Sequence, residues 1–536
     1  MENQYTSSEQ ICTLLYNGTH NTEAQGDFSL PDYLPDVRKV LRVMAEPHVT
    51  SRYLNGDRLE MEGNVNASFL YMADDNSIHC FSASLPFSQN IAIAGLDENT
   101  VITVKQNTEN ASCRLQGPRK CTLRCKLRSS VRALTERSIR PDISSLALTG
   151  EEPLCTHTVT HPTCMLLCAS TDDLRYAEDL PTGNQSIQEV LTCRVTPVIS
   201  EARGGDHCVV CKGEYLIEAF CSFLDGSGND DAISYHTLKR RIPFSETLEC
   251  SGLSDAFRCE PDLTVTSVIP SITEEGRNLG VDFSAECSVV CAMDTEAAVI
   301  TDAFLPSYDV RITGEDVQSF LPVRMTTGNF SAAGTIKAEA GETVTEITDV
   351  VMAPTLDHTE CTDGRLVLTG NMEISAIAKT DDQKYLPITG SIPLRWETDG
   401  SFDQNTACSS DNAVLTINEC KVLSCTARPD QDQKSFSCEA ELQVFLSVAR
   451  REALTLPHDI TVPGEAKKIA PPAYSVVLCY PQAEESLWDI AKHYRVTKET
   501  LCRCNHLPEN TEIVPSETKV LLIPTSDLFE EAAAAR

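Results

Sequence analysis

Positive charge is scarce in this sequence relative to negative charge. Its 44 Lys and Arg face 78 Asp and Glu, a formal net charge of -34. Nucleic acids and anionic membranes need a basic patch that neutralises phosphate, so neither is expected as the main partner. The plain meaning of such an excess is solubility through self-repulsion, with a docking surface for a basic protein as the sharper alternative. Long apolar runs are missing too: no stretch approaches the roughly 18 apolar residues of a membrane-spanning helix. The opening "MENQYTSSEQICTLLYNGTH" has no Lys or Arg, and "ICTLLY" is its only apolar run, so no secretory signal is read there. A cytoplasmic protein without a membrane span is therefore expected. Also absent are a Gly-x-x-x-x-Gly-Lys phosphate loop, a Gly-x-Ser-x-Gly elbow and a His-Glu-x-x-His zinc helix. No enzyme and no cofactor is expected.

What is present is a chain of 536 residues, 41% hydrophobic and 23% charged, enough for several globular cores. Residues 1–25 and the tail 526–536 read as poorly ordered. The 24 cysteines fall below the roughly 8–10% of a disulfide scaffold. In a reducing compartment they are expected to be mostly free thiols.

Three copies of one β unit follow. Pro47, Pro197 and Pro354 are each followed sixteen residues later by a glycine, Gly63, Gly213 and Gly370. Between them sit the turn pairs Asn55-Gly56, Gly204-Gly205 and Asp363-Gly364, which accept positive φ and signal hairpins. A third marker reads "LPF", "IPF" or "IPL", ending at Phe87, Phe244 and Leu394; in the second copy it is displaced by the polar stretch "DGSGNDDA". Around each glycine the strands alternate cleanly. Leu59, Met61, Val65, Ala67, Phe69 and Tyr71 share the face of Gly63, and Val209, Cys211, Tyr215, Ile217 and Ala219 that of Gly213. Leu366, Leu368, Met372, Ile374 and Ala376 do the same around Gly370. Period two with β-branched and aromatic residues means half-buried strands, and a glycine on the apolar face suits a bulge or a close backbone approach. Each copy ends in a second long alternating strand, such as Cys121, Leu123, Cys125, Leu127, Val131 and Ala133. Cysteines on such faces act as small hydrophobes.

The fold class expected is mainly β: three repeated antiparallel β domains of sandwich or half-barrel type, then a small β-α-α-β unit. The divisions expected are repeats at 26–140, 177–312 and 335–462, connecting segments at 141–176 and 313–334, a linker at 463–472 and a terminal module at 473–525. In that module Ser486 can cap one helix, with Asp489 three residues on, and Thr497 a second. Leu487, Ile490, Ala491 and Tyr494 make one apolar stripe, and Leu501 faces inward from the second helix.

Metal ligands are the remaining candidate chemistry. In "CTHTVTHPTC" Cys155, His157 and His161 would share a strand face, with Cys164 beyond Pro162 and Cys168 further on. The ligand types suit zinc, but Pro162 is expected to break the strand and the spacing fits no finger, so no metal is assigned. In "CVVC", Cys208 and Cys211 would point to opposite strand faces. In "CRCNH", Cys502 and His506 could share a helix face with Cys504 nearby, two ligands short of a closed site.

Two resemblances rest on these residues. "GDFSLPDYLPDVRKVLRV" (26–43) with the strands after it resembles the SPOCS domain family of spore-forming Firmicutes, most clearly in the first copy. "SLWDIAKHY", "VTKETLCRCNHL" and "VLLIP" in register resemble a LysM domain, with Trp488, Asn505 and Leu507 at positions that largely keep its fold. LysM domains that bind N-acetylglucosamine glycans use a Gly-Asp-Ser/Thr loop before the first helix and a loop after the second. Here Glu484 stands in place of that glycine, in "PQAEES", and the second loop also lacks its usual glycine. The binding residues implied are Glu484, Glu485, Ser486, Leu507, Pro508, Glu509 and Asn510. The pairing resembles clostridial spore-coat morphogenetic proteins. It implies a non-enzymatic adaptor at the forespore surface in the mother cell, its LysM region docked on the ATPase of the coat's basement layer or on other coat proteins. The alternative it implies is binding of peptidoglycan or cortex glycan.

Overall fold

Apolar alternation at period two, three times over, gives three β-sandwiches. The computed structural model describes residues 7–524, apart from 145, 147–153, 184, 225–232, 339–342, 363–364, 383, 399–412, 464–468, 470–475 and 483. The first repeat comprises β1 (Ser7–Ser8), β2 (Gln10–Ser29), β3 (Lys39–Leu54), β4 (Arg58–Met72), β5 (Ile78–Ala92), β6 (Val101–Gly117) and β7 (Lys120–Ser138). The second comprises β8 (Cys155–Pro181), β9 (Ser186–Gly205), β10 (Cys208–Leu224), β11 (Ile233–Glu249), β12 (Arg258–Thr273) and β13 (Asn278–Phe304). The third comprises β14 (Arg311–Lys337), β15 (Val344–Thr362), β16 (Arg365–Thr380), β17 (Tyr385–Glu397), β18 (Ala413–Pro429) and β19 (Ser435–Thr461). The terminal module is β20 (Val476–Cys479), α1 (Leu487–Tyr494), α2 (Lys498–Cys504) and β21 (Leu521–Pro524).

All three sandwiches follow one plan. One sheet is a double hairpin, β3-β4-β5, β9-β10-β11 or β15-β16-β17. The facing sheet sets the last strand between two others: β6-β7-β2, β12-β13-β8 and β18-β19-β14. The core between them holds the alternating residues read from the sequence, for example Val65, Ala67, Phe69 and Tyr71 against Cys121, Leu123, Cys125 and Leu127. Burying each large side chain contributes about 1.5–3 kcal/mol.

The in-phase glycines answer to one geometry. A Cβ on Gly63, Gly213 or Gly370 would lie 2.2, 2.1 or 2.0 Å from the carbonyl oxygen of His48, Val198 or Thr355. Each of those residues follows its repeat's proline, next to a register shift in the neighbouring strand pair. The bulge pushes a carbonyl into space that only glycine leaves open. The prolines lie in β3, β9 and β15, edge strands of their sheets, where the missing N–H need break no ladder bond.

The sandwiches close on one another as an approximate threefold ring. The last strand of each hairpin sheet meets the first of the next: β5 with β9, β11 with β15, and β17 with β3. The hub gathers Leu70, Phe220 and Ile377, each seven residues beyond its repeat's glycine, with Ile78, Tyr235 and Tyr385. An odd offset puts them on the strand face opposite the sandwich core, so these strands are buried on both faces at that end. A polar bolt lies beside the hub. Arg42 pairs with Asp349 and donates to the Ser375 hydroxyl at 3.0 Å and carbonyl at 2.7 Å. Thr237 donates to the other Asp349 oxygen at 2.5 Å, so all three repeats meet in one hydrogen-bonded group. On the other sheets Arg132 of the first repeat pairs with Glu260 of the second at 2.8 Å, beneath Phe320 of the third.

Several expectations change. Residues 10–25 are not poorly ordered: they belong to β2, which pairs along its length with β7. Its equivalents β8 and β14 occupy most of the two connecting segments, so each sandwich owns a strand the repeat pattern did not include. The reason is weak amphipathicity; between Thr13 and Ala24 no residue of β2 is fully buried. Pro162 does not break its strand, because β8 is a sheet edge and Pro162 simply opposes Glu296. The second hairpin turns at Asp206 and His207 (φ 57°), not at Gly204-Gly205. Gly204 is needed elsewhere, since a Cβ there would meet the Ser254 carbonyl oxygen at 2.4 Å. The Asp363-Gly364 turn, the stretch "DGSGNDDA" at 225–232, the tail 526–536 and most of the linker at 463–472 lie outside the described residues.

Candidate functional site

The terminal module is built as its capping residues dictate. The Ser486 hydroxyl accepts from the amides of Trp488 and Asp489, and Thr497 accepts from Thr500. Leu487, Trp488, Ile490, Ala491, Leu501 and Cys502 are buried with Leu521 and Ile523 of β21. Asn505 ends α2 and ties it to the sheet: its amide donates to the Leu522 carbonyl at 2.8 Å, and its oxygen accepts from the Leu522 N–H at 2.7 Å. Leu507 packs at the rim of this core.

The two loops expected to bind lie side by side. Ser486 bridges Ile513, the Leu487 amide donates to Glu512 O at 2.9 Å, and the Val514 amide to Glu485 O at 3.0 Å. The first loop closes on itself through the Glu485 carboxylate, which accepts from the Gln482 amide at 2.8 Å. Glu484 has φ 62°, so this non-glycine residue adopts the left-handed conformation at the very position where a glycine is usual. Glu484, Pro508, Glu509 and Asn510 are exposed; Glu485, Ser486 and Leu507 are half-buried. The pair is acidic, with Glu484, Glu485, Glu509, Glu512 and Glu517, and a near counter-charge in Lys498, 2.5 Å from Glu512.

Two features were not among the sequence expectations. The first is a clamp between the module and the second repeat. The Trp488 indole N–H donates to Asp302 at 2.9 Å, Lys492 approaches the same carboxylate at 2.6 Å, and Arg495 reaches Asp309 at 2.5 Å. The Trp488 ring lies 5.2 Å from Phe304 and 5.3 Å from His157, and Phe304 joins the module's own core. Burial works to raise the Asp302 carboxyl's pKa, but hydrogen bonds from Lys492 and Trp488 outweigh it and hold the group below its ordinary value. The second feature is the outer face of β20–β21, where Val476, Leu478, Tyr480, Val520 and Leu522 stand exposed, Tyr480 at 71% and Leu478 at 55%. The runs "VVLCY" and "VLLI" carried the signal: apolar residues on both strand faces in a sheet with one covering layer.

The metal candidates do not converge. Cys155 edges the module's core, His157 meets Trp488 and Thr301, His161 lies 3.1 Å from the Ser319 hydroxyl, and Cys164 is buried near Phe320 O. Among the described residues no three metal-ligating side chains stand together. Cys168 is exposed, Cys208 half-buried and Cys211 buried. Cys502 is in the module's core, Cys504 is half-buried, and His506 (φ 56°) lies past the end of α2.

Fold and loops together define a binding module carried on a ring of β-sandwiches. Comparison with family models agrees: residues 36–116, spanning β3 to β6, match the model described as SipL, SPOCS domain, and residues 482–518 match the LysM domain. The chain thus carries a SPOCS domain in its first repeat and a LysM domain near its C-terminal end. Both are non-catalytic binding domains; the first suggests a sporulation-related role with spore-coat association, the second peptidoglycan binding. No curated protein and no solved structure matches the chain. Among the described residues no helix is long and apolar enough to cross a membrane.

Proposed function

We propose that this protein is a non-enzymatic adaptor of spore-coat assembly, working in the mother-cell cytoplasm at the forespore surface. Its LysM domain docks on the coat-basement morphogenetic ATPase, and the sandwich ring serves as scaffold. The observation that carries this reading is the LysM surface: an exposed apolar sheet face on a domain whose two loops are acidic. Neutral N-acetyl sugars are gripped by backbone amides and carbonyls at close range, which a glycine permits and Glu484 obstructs. An apolar patch with an acidic neighbourhood instead fits a protein partner with an apolar patch and a basic rim.

The test uses the full chain in parallel binding assays with the basement-layer ATPase and with peptidoglycan fragments. Binding to the ATPase should fall at least tenfold on changing Leu478 and Leu522 to Asp, or on exchanging 484–486 or 507–510, with no glycan binding throughout. Glycan binding without ATPase binding overturns the reading and favours cortex glycan as the ligand.

A further inference from the structure

Cysteines are the one abundant chemistry that the adaptor role leaves unused. Those described form no disulfide, and nine of them lie in the second repeat from Cys168 to Cys291. Two stand in a special relation. Cys259 on β12 and Cys291 on β13 are direct cross-strand partners, and the Cys291 thiol donates to Cys259 Sγ at 3.5 Å. Opposed residues of an antiparallel pair have Cα atoms about 4.5 or 5.5 Å apart, inside the roughly 4.4–6.8 Å range that disulfides span. Closing the sulfurs to about 2.05 Å therefore asks for side-chain rotation and a small backbone adjustment, not a new register.

Access is asymmetric. Cys259 lines a cleft of about 180 Å³ between the second and third repeats, beside Ala202, Pro261, Met325, Glu419 and Phe445. A water molecule occupies about 30 Å³ of liquid, so a molecule of peroxide size fits. Cys291 lies behind it with 0% exposure. Polarity runs the same way: the hydrogen bond from Cys291 lowers the Cys259 pKa against the opposing effect of burial, and a backbone bond from Gly204 adds to it. That geometry makes Cys259 the attacking thiol and Cys291 the resolving one.

We propose that Cys259 and Cys291 form a redox site that closes to a cross-strand disulfide on exposure to a hydroperoxide. The Cys259 thiolate attacks one peroxide oxygen, the O–O bond breaks, and the departing hydroxide takes a proton to leave as water, with Cys259 as sulfenic acid. Cys291, giving up its proton, then attacks the Cys259 sulfur; the S–O bond breaks and a second water leaves. Two thiols lose two electrons and two protons, and one hydrogen peroxide becomes two waters. The product pins β12 to β13 along one wall of the inter-repeat cleft, and a dithiol reductant reopens it.

The experiment treats the reduced, folded full chain with hydrogen peroxide, blocks the remaining thiols after denaturation, and maps peptides without reduction. The expected result is a linked Cys259–Cys291 peptide pair, two hydrogens lighter, that disappears with dithiothreitol. In Cys291→Ser the Cys259 sulfenic acid should persist and be trapped by dimedone. Recovery of both cysteines as blocked thiols while exposed Cys168 is oxidised overturns the proposal. So does a link from Cys259 to a different cysteine, or one in its place between Cys211 and Cys287, a second hydrogen-bonded thiol pair of the same core. The unsubstituted protein alone decides between these outcomes, so a misfolded variant does not obscure them.

Discussion

The hub of the sandwich ring and the LysM clamp are both inter-domain junctions centred on an aspartate, yet they are built to different ends. At the hub the Arg42 and Asp349 side chains are 4% and 7% exposed and are enclosed by groups from all three repeats. At the clamp Lys492 and Asp302 are 45% and 28% exposed, and two domains meet through one helix. A buried pair cannot lose one member cheaply, because the survivor is left charged in a low dielectric. A partly solvated pair is screened, and either partner can return to water. The contrast predicts that the LysM attachment opens before the ring does.

The largest expected effect tests the hub. Asp349→Ala leaves Arg42 buried without its counter-charge and should cost about 3–5 kcal/mol in urea unfolding of the full chain. Replacing both residues with apolar ones of similar volume should recover most of that loss. A cost below about 1 kcal/mol for Asp349→Ala would erase the contrast between the junctions.

Next comes the geometry that holds each sandwich. Gly213→Ala sets a methyl against the Val198 carbonyl oxygen and should cost about 1–3 kcal/mol. Gly63→Ala and Gly370→Ala should cost similar amounts, since the same carbonyl of the repeat is struck. Unequal costs would show that the three sandwiches tolerate the bulge differently.

The clamp should give smaller, local effects. Asp302→Ala should weaken LysM docking by about 1–2 kcal/mol, because it orphans the Trp488 N–H and frees Lys492. Amide exchange over 487–495 should rise while the ring unfolds at an unchanged denaturant concentration. Acid should act likewise. A carboxyl whose folded pKa is depressed stabilises docking above its ordinary value near pH 4, and that contribution is lost as pH falls through the lowered value. Trp488 fluorescence in a Trp396→Phe background would follow the release. Docking that is unchanged at pH 3 would place the clamp's energy in the Phe304 contact instead.

The smallest effect is at the loop. Glu484→Gly relieves a left-handed non-glycine residue, a gain of about 0.5 kcal/mol once the greater freedom of the unfolded chain is counted. Thermal unfolding of the full chain reads the stability. Glycan binding gained by this variant would identify Glu484 as the residue that closes the sugar site.

Much of this was legible beforehand. The glycines, the alternating faces and the helix caps at Ser486 and Thr497 are local signals, and local signals survive without tertiary context. β2, β8 and β14 escaped because strands with few fully buried residues carry little periodicity. The displaced turn at Asp206 and the unbroken strand at Pro162 were missed for a related reason: the meaning of a glycine or a proline depends on which strand lies beside it. At the site, the loops were implied by the resemblance to LysM domains, but Asp302 could not be joined to Trp488 across 186 residues.

The sequence by itself determined three β repeats and one small helical module, because period-two and period-3.6 patterns select elements within a few residues. It also determined the chemistry available, a large acidic excess and many thiols. Only the tertiary structure decided that the repeats close into a ring, that Leu70, Phe220 and Ile377 form its hub, and which thiols are neighbours. Those facts depend on faces meeting across hundreds of residues: a local pattern marks which face is buried, but the hydrophobic effect is non-directional and leaves its partner to the tertiary fold.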